Sequence, residues 1–96
     1  MLLFEWDSDK AKKNLQTHGA SFEEASTTFG DPLSLTIHDP LHSEREERFV
    51  LIGYSYANRL LIVVHTERGD RTRIVSARKA TPKERNQYRE ENAKRQ

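Results

Sequence analysis

The chain contains no cysteine. That excludes a disulfide framework, a thiolate metal site and a cysteine nucleophile, and it suits a reducing cytoplasm. Long apolar runs are also missing: none approaches the ~20 residues needed to cross a bilayer. Met1 to Asp9 is acidic where an export signal is basic, so no secretory leader is expected. Hydrophobic residues make up 34% of the chain and charged residues 32%. At 96 residues this composition supports one small core and one domain, spanning 1–96. The glycines Gly19, Gly30, Gly53 and Gly69 stand alone as turn or bulge residues. They form neither a phosphate-binding loop nor a dinucleotide fingerprint, and no nucleophile elbow is present.

Charge is plentiful but unevenly placed. Residues 1–67 hold 6 Lys/Arg and 11 Asp/Glu, a balance of −5; residues 68–96 hold 10 and 4, a balance of +6, and the two sum to the net +1. A basic C-terminal third attracts a polyanion such as nucleic acid, or is simply the solvated face of a Lys/Arg-rich helix.

Periodicity and end signals outline the elements. Leu2 to Trp6 reads as a short strand. Asp7 or Ser8 caps a helix from about 8 to 18, with Ala11, Leu15 and His18 at helical spacing and Gly19 as its stop. Ser21 and Glu24 have capping-box spacing, and Phe22, Ala25 and Phe29 line one face of a second short helix ended by Gly30 and Pro32. Leu33 to His38 alternates apolar and polar as a half-buried strand does, and Leu41 to Glu47 is a charged loop. Arg48–Tyr56 and Arg59–Thr66 are strands rich in Val, Ile, Leu and Tyr, and a further strand runs from Arg71 to Arg78. They are joined at Ala57-Asn58 and at Glu67–Asp70 into an antiparallel meander. Thr81-Pro82-Lys83-Glu84 opens a last helix, 82 to about 93, whose apolar residues are chiefly Tyr88 and Ala93. The order predicts an α+β domain: an antiparallel sheet with two N-terminal helices and a C-terminal helix, the helices on one face.

Two constellations bear on chemistry. His65, Glu67, Arg71 and Arg73 cluster around one hairpin. With a turn at 68–70, His65 lies across from Arg73 to within a residue of register, so a group titrating near neutral pH stands beside a phosphate-binding guanidinium. Arg78, Lys79, Arg85 and Arg89 follow, and together they can line a phosphate track. Ordinary cross-strand pairs and helix solubility are the plainer explanations of the same residues. Metal-free RNA cleavage needs a base for the ribose 2′-OH, cations for the charge gathering on phosphorus, and an acid for the departing 5′-oxygen. His, Glu, Arg and Lys suffice for these roles. His38, Asp39, His42 and Glu44 form a loose His/carboxylate group, but Pro40 interrupts any helix that would align them, so no metal site is expected. Phe4 and Trp6 are core candidates rather than base-stacking residues.

At family level, Phe4-Glu5-Trp6-Asp7, Lys10, Asn14, His18-Gly19, Ser21 to Ala25, Phe29 and Asp31-Pro32 resemble the N-terminal half of BrnT proteins. His42-Ser43, Glu47-Arg48, Ile52-Gly53, Val64-His65-Thr66, Arg73 to Arg78, Ala80, Glu84-Arg85 and Tyr88 resemble the second half, so the likeness covers about residues 3–90. The resemblance implies a RelE-like fold and a cytoplasmic ribonuclease toxin that halts translation. It also implies neutralisation by a BrnA-like antitoxin with a ribbon-helix-helix part, and contact with DNA only through that antitoxin. On this reading His65, Glu67, Arg73 and Arg78 are the expected catalytic residues, and Arg71, Lys79, Arg85 and Arg89 bind RNA. No metal, cofactor or membrane is involved. The alternative is a non-catalytic antitoxin partner acting only in promoter autoregulation; a further one is an RNA-binding module without cleavage.

Overall fold

The structure, a computed structural model, describes residues 2–40 and 46–95. Its elements are β1 (Leu3–Glu5), α1 (Ser8–His18), α2 (Phe22–Thr27), β2 (Leu35–Asp39), β3 (Arg48–Tyr54), β4 (Leu60–Arg68), β5 (Arg71–Lys79) and α3 (Pro82–Lys94). A 3₁₀ turn, Thr28–Gly30, follows α2. The predicted β-α-α-β-β-β-β-α order holds, with strand ends displaced by a few residues.

The end signals act as their chemistry requires. Asp7 caps α1 by accepting from the Asp9 and Lys10 N–H groups. Gly19 closes it in the left-handed region, φ 69°, where a Cβ would be strained. The tight turns use the same freedom at Asn58 (φ 59°) and Gly69 (φ 61°). Thr81 and Glu84 form a full capping box on α3. At α2 the box is only half made. Ser21 accepts from the Glu24 N–H, but the Glu24 carboxylate turns away to Arg59 and Ser55.

The sheet is mixed, not purely antiparallel. Its order is β1-β5-β4-β3-β2, and β1 runs parallel to β5, pairing Leu3, Phe4 and Glu5 with Arg71, Thr72 and Arg73. The expectation of an all-antiparallel sheet is thereby corrected. The chain leaves β1 through two helices, starts its meander at the far edge and returns strand by strand. Three antiparallel steps from that edge bring β5 back beside β1, running in the same direction as β1.

Nor do all three helices share one face. Phe22 and Ala25 of α2 and Ala20 pack with Leu51, Leu61, Val63, Ile74 and Ala77, and Phe4, Trp6, Ala11 and Phe29 close around them. Phe4 and Trp6 are thus core-packing residues. α3 lies toward the opposite face and is tied at points rather than along its length, as its polarity requires. Arg78 donates two 2.8 Å bonds to Glu84. Tyr88 donates to Asp31 at 2.7 Å, and Asn92 donates to the Leu33 carbonyl.

The Arg78–Glu84 tie sets a pH-dependent increment of stability. Hydrogen bonds from Arg78 hold the Glu84 carboxyl at about 2, against 4.5 for the free side chain. A depressed carboxylate stabilises the fold fully above its unfolded value, and the contribution is lost as pH falls through about 2. Arg78 is 42% exposed, and solvent screening reduces the effect to about 1 kcal/mol. Glu84→Gln, which can keep the bond to the Thr81 N–H, is expected to cost about that much at pH 7. Urea denaturation should show the gap from wild type closing below pH 4; an undiminished gap at pH 2.5 would contradict this account.

Candidate functional site

Strand pairing determines which side chains can act together, because directly paired residues point to the same face. On β4 and β5 the pairs are His65 with Ile74, Thr66 with Arg73, Glu67 with Thr72 and Arg68 with Arg71. Farther along, Val64 pairs with Ser76, Ile62 with Arg78 and Leu61 with Lys79. The jump from Ile74 to Ser76 makes Val75 the extra residue of a β-bulge. His65 and Glu67 therefore belong to the face covered by α1 and α2. Arg71, Arg73 and Arg78 belong to the other, open face. A single residue of register separates this from His65 opposite Arg73, and a one-residue slip moves a side chain through the sheet.

His65 is buried, 4% exposed. Its ring stacks on Phe49, with 5.6 Å between centroids, and meets Phe29 edge-on at 4.9 Å. Burial lowers its pKa below the usual histidine value, against the opposing pull of the Glu67 charge. Nδ1 lies 3.2 Å from Glu67 Oε1, yet neither ring nitrogen makes a well-formed hydrogen bond among the described residues. Glu67 itself is exposed at the strand end, where it accepts from the Thr72 hydroxyl. This places the imidazole behind a solvent-facing carboxylate.

On the open face Arg73 Nη1 donates to Glu5 Oε2 at 2.7 Å. Arg71 is exposed at the start of β5, and neighbouring Arg68 grips Glu46 with two 2.8 Å bonds. Arg78 stands further along the same face, engaged with Glu84. Lys79 and Arg85 come together at the opposite end of the hairpin, lining a shallow cleft of about 210 Å³ with Asn58 and Arg59. Arg85 and Arg89 flank a second cleft of about 330 Å³ beside Tyr54 and Tyr88. Arg73 and Lys79 are separated by roughly 20 Å of strand at ~3.3 Å per residue. Lys79, paired with Leu61, belongs to the α1/α2 face, so the cations are divided between the two sides of β5 and α3 rather than gathered in one pocket.

Sequence reasoning missed several members of this architecture. Asn14, on α1, donates to the carbonyls of Ala20 and Ala77 and accepts from the Ala77 N–H. Glu24 accepts from Arg59 and Ser55, and Arg59 lowers its pKa. Asp31 accepts from the Tyr54 and Leu33 N–H groups and from Tyr88. These polar anchors have no periodic signature. No group of three or more potential metal-ligating side chains occurs among the described residues; His42 and Glu44 of the loose sequence cluster lie outside them. His38 instead meets Glu47 and Phe49.

A small α+β domain with a strip of arginines along a central hairpin defines a class of compact, basic-faced proteins, and comparison with known families narrows it. Residues 6–84 match the family described as ribonuclease toxin, BrnT, of type II toxin-antitoxin system. The chain belongs to that family. Its fold is similar to the crystal structure of the Brucella abortus ribonuclease toxin BrnT, with TM-score 0.62 and 19% identity over 84% of this chain and 99% of that one. No curated protein sequence matches the chain. Among the described residues no helix is long and apolar enough to cross a membrane.

Proposed function

We propose that this BrnT-family toxin is an endoribonuclease that cleaves RNA without a divalent metal and so halts translation. The observation that carries the reading is the file of guanidinium groups on the open face, Arg71, Arg73 and Arg78, with the exposed carboxylate of Glu67 at the same hairpin end on the other side of the sheet. Arg73 and Arg78 stabilise the charge that develops on phosphorus. Glu67, reachable from solvent, takes the proton of the 2′-OH. His65 behind it, with Nδ1 3.2 Å from Glu67 Oε1, orients the carboxylate, and the proton that Glu67 has taken passes on to the departing 5′-oxygen. Arg71, Lys79, Arg85 and Arg89 hold flanking phosphates.

The antitoxin is proposed to be a BrnA-like ribbon-helix-helix protein that covers the open face and supplies contact with promoter DNA. A groove of about 420 Å³ between α3 and that face, lined by Leu35, Ile37, Val50, Ile52 and Ile62, offers it apolar surface beside the arginines. Cytoplasmic action follows from an RNA substrate and a DNA-binding partner.

The test is incubation of purified protein with total RNA in EDTA. Cleavage is expected to persist and to stop when the cognate antitoxin is added. Activity abolished by EDTA and restored by one metal would overturn the metal-free chemistry. Intact RNA under all conditions, with tight antitoxin binding, would favour the purely regulatory role.

A further inference from the structure

The cleft of about 330 Å³ beside α3 is lined by Leu33, Tyr54, Arg85, Tyr88, Arg89 and Asn92. Tyr54 pairs with Leu60 at the end of β3. Leu60 and Glu67 lie toward opposite ends of β4, roughly 20 Å apart. The cleft is therefore remote from the chemistry proposed at Glu67, and three separate features bear on what it holds.

The first is charge. Arg85 and Arg89 stand four residues apart on α3, where like charges repel. No carboxylate lies three or four residues from either, and among the described residues neither forms an ion pair. Arg85 also shares its other cleft with Lys79. The second is a fixed apolar wall. Tyr88 is held through its hydroxyl by Asp31 and meets Tyr54 edge-on, with 5.5 Å between ring centroids. Tyr54 is half-buried and Leu33 exposed. The third is an acceptor. Asn92 is 7% exposed, and its Nδ2 donates to the Leu33 carbonyl at 3.1 Å and to the Tyr88 carbonyl at 2.9 Å. Both partners are carbonyls, which settles which end of the amide is nitrogen. Its Oδ1 has no partner among the described residues.

None of these features names a ligand alone; together they do. A bare anion engages the arginines and leaves the wall and the acceptor unused. A neutral apolar group leaves the arginines unpaired. A phosphate joined to a flat ring edged with N–H donors serves all three, and a nucleotide is that group. We propose that this cleft binds one nucleotide of RNA, its phosphate on Arg85 and Arg89, its base against Tyr54 and Leu33, and an N–H of the base turned to Asn92 Oδ1. Oδ1 is shielded from solvent, so occupancy requires the exposed rim side chains, Leu33, Arg85 and Arg89, to shift. The inference rests on the RNA-cleaving reading only for the source of the nucleotide. Tyr54 and Asn92 thereby join the interface, and the cleft anchors the strand several nucleotides from a bond cut beside Glu67.

The experiment titrates the full chain, observed by NMR, with three probes. They are a 2′-O-methyl oligoribonucleotide, which binds but cannot be cut, adenosine 5′-monophosphate, and inorganic phosphate. The first two are expected to move the Tyr54 ring, the Asn92 side-chain amide and the Arg85 and Arg89 Nε signals; phosphate should move the arginines alone. Arg85→Gln, Arg89→Gln and Tyr54→Leu are each expected to weaken oligonucleotide binding about tenfold. Losing both arginines should lower the slope of log affinity against log salt by about 0.7. Each arginine variant also relieves a like-charge pair, so its Tm should equal or exceed wild type while its affinity falls. A merely solvated helix face would not produce that opposition. Wild-type affinity in all three variants, no binding by wild type, or Tyr54 and Asn92 signals that stay still while the oligonucleotide binds would each overturn the site. Phosphate moving Tyr54 and Asn92 as far as the nucleotide does would reduce it to an anion site and overturn the base contact. Signals moved by the cognate antitoxin but by no nucleotide would assign the cleft to protein and overturn the proposal. Parallel incubation with unmodified RNA separates the two claims. Binding with these signatures but no cleavage would refute the ribonuclease reading and leave the site. Cleavage with unaffected variants would refute the site and leave the reading.

Discussion

Arg73→Ala is expected to reduce RNA cleavage by about 100- to 1,000-fold, the loss typical when one donor aimed at developing charge is removed. The effect should fall on the rate and not on the fold. The Arg73–Glu5 pair is partly solvated, each side chain 28% exposed, and pairs of that kind contribute about 0–1 kcal/mol. Arg73→Lys is expected to recover little, because an ammonium keeps the charge but lacks the planar fork that can hold Glu5 and a phosphate together. Arg78→Ala should also slow cleavage, with a larger loss of stability because its fork secures Glu84 at the start of α3. Single-turnover cleavage and a melting curve on the same sample decide the matter. A folded Arg73→Ala protein that cleaves at a rate within a few-fold of wild type would remove Arg73 from the chemistry.

Asn14→Ala is expected to be the most damaging single change to stability. β1 accompanies β5 only from Arg71 to Arg73. Beyond that point no strand among the described residues lies beside that edge of β5, and Asn14 takes the place of one. Its side-chain amide donates to the Ala77 carbonyl at 2.8 Å and accepts from the Ala77 N–H at 3.1 Å, as a neighbouring strand would. The same amide group donates to the Ala20 carbonyl at 2.9 Å, which fixes the connection from α1 to α2. Asn14 is only 8% exposed, so water cannot readily replace it. Truncation leaves three backbone groups without partners at a cost of roughly 3 kcal/mol. For a domain of this size that corresponds to a Tm lower by about 10–20 °C. Asn14→Asp is expected to fare as badly, since a carboxylate cannot donate to either carbonyl. A Tm for Asn14→Ala within about 2 °C of wild type would show that the amide is dispensable.

Much of this molecule is readable one segment at a time. Asp7 and Gly19 bound α1, Thr81 and Pro82 open α3, and Asn58 and Gly69 turn the hairpins, because capping and left-handed geometry depend on a few adjacent residues. The alternation of Leu35 to Asp39 and the β-branched runs of β3 and β4 mark strands by the same local logic. The candidate arginines could be named from the sequence because charge and residue type are properties of the chain itself.

Their arrangement is another matter. Whether His65 meets Arg73 depends on the turn: Arg68 pairs with Arg71 across Gly69-Asp70, so His65 pairs with Ile74 and lies between Phe29 and Phe49 while Arg73 faces the open side. The edge of β5 is likewise completed from afar, by Asn14 at Ala77, 63 residues away in sequence. Glu24 satisfies the spacing of a capping box, yet Arg59 offers its carboxylate a charged partner that the Ser21 N–H cannot match. The parallel pairing of β1 with β5 follows from where the meander begins, which no residue of either strand encodes alone. The sequence by itself determined the elements, their ends and the stock of chemical groups, because those are set by interactions within a few residues. Only the tertiary structure decided which groups share a face, because that depends on strand register and long-range pairing, where a shift of one residue reverses every side chain.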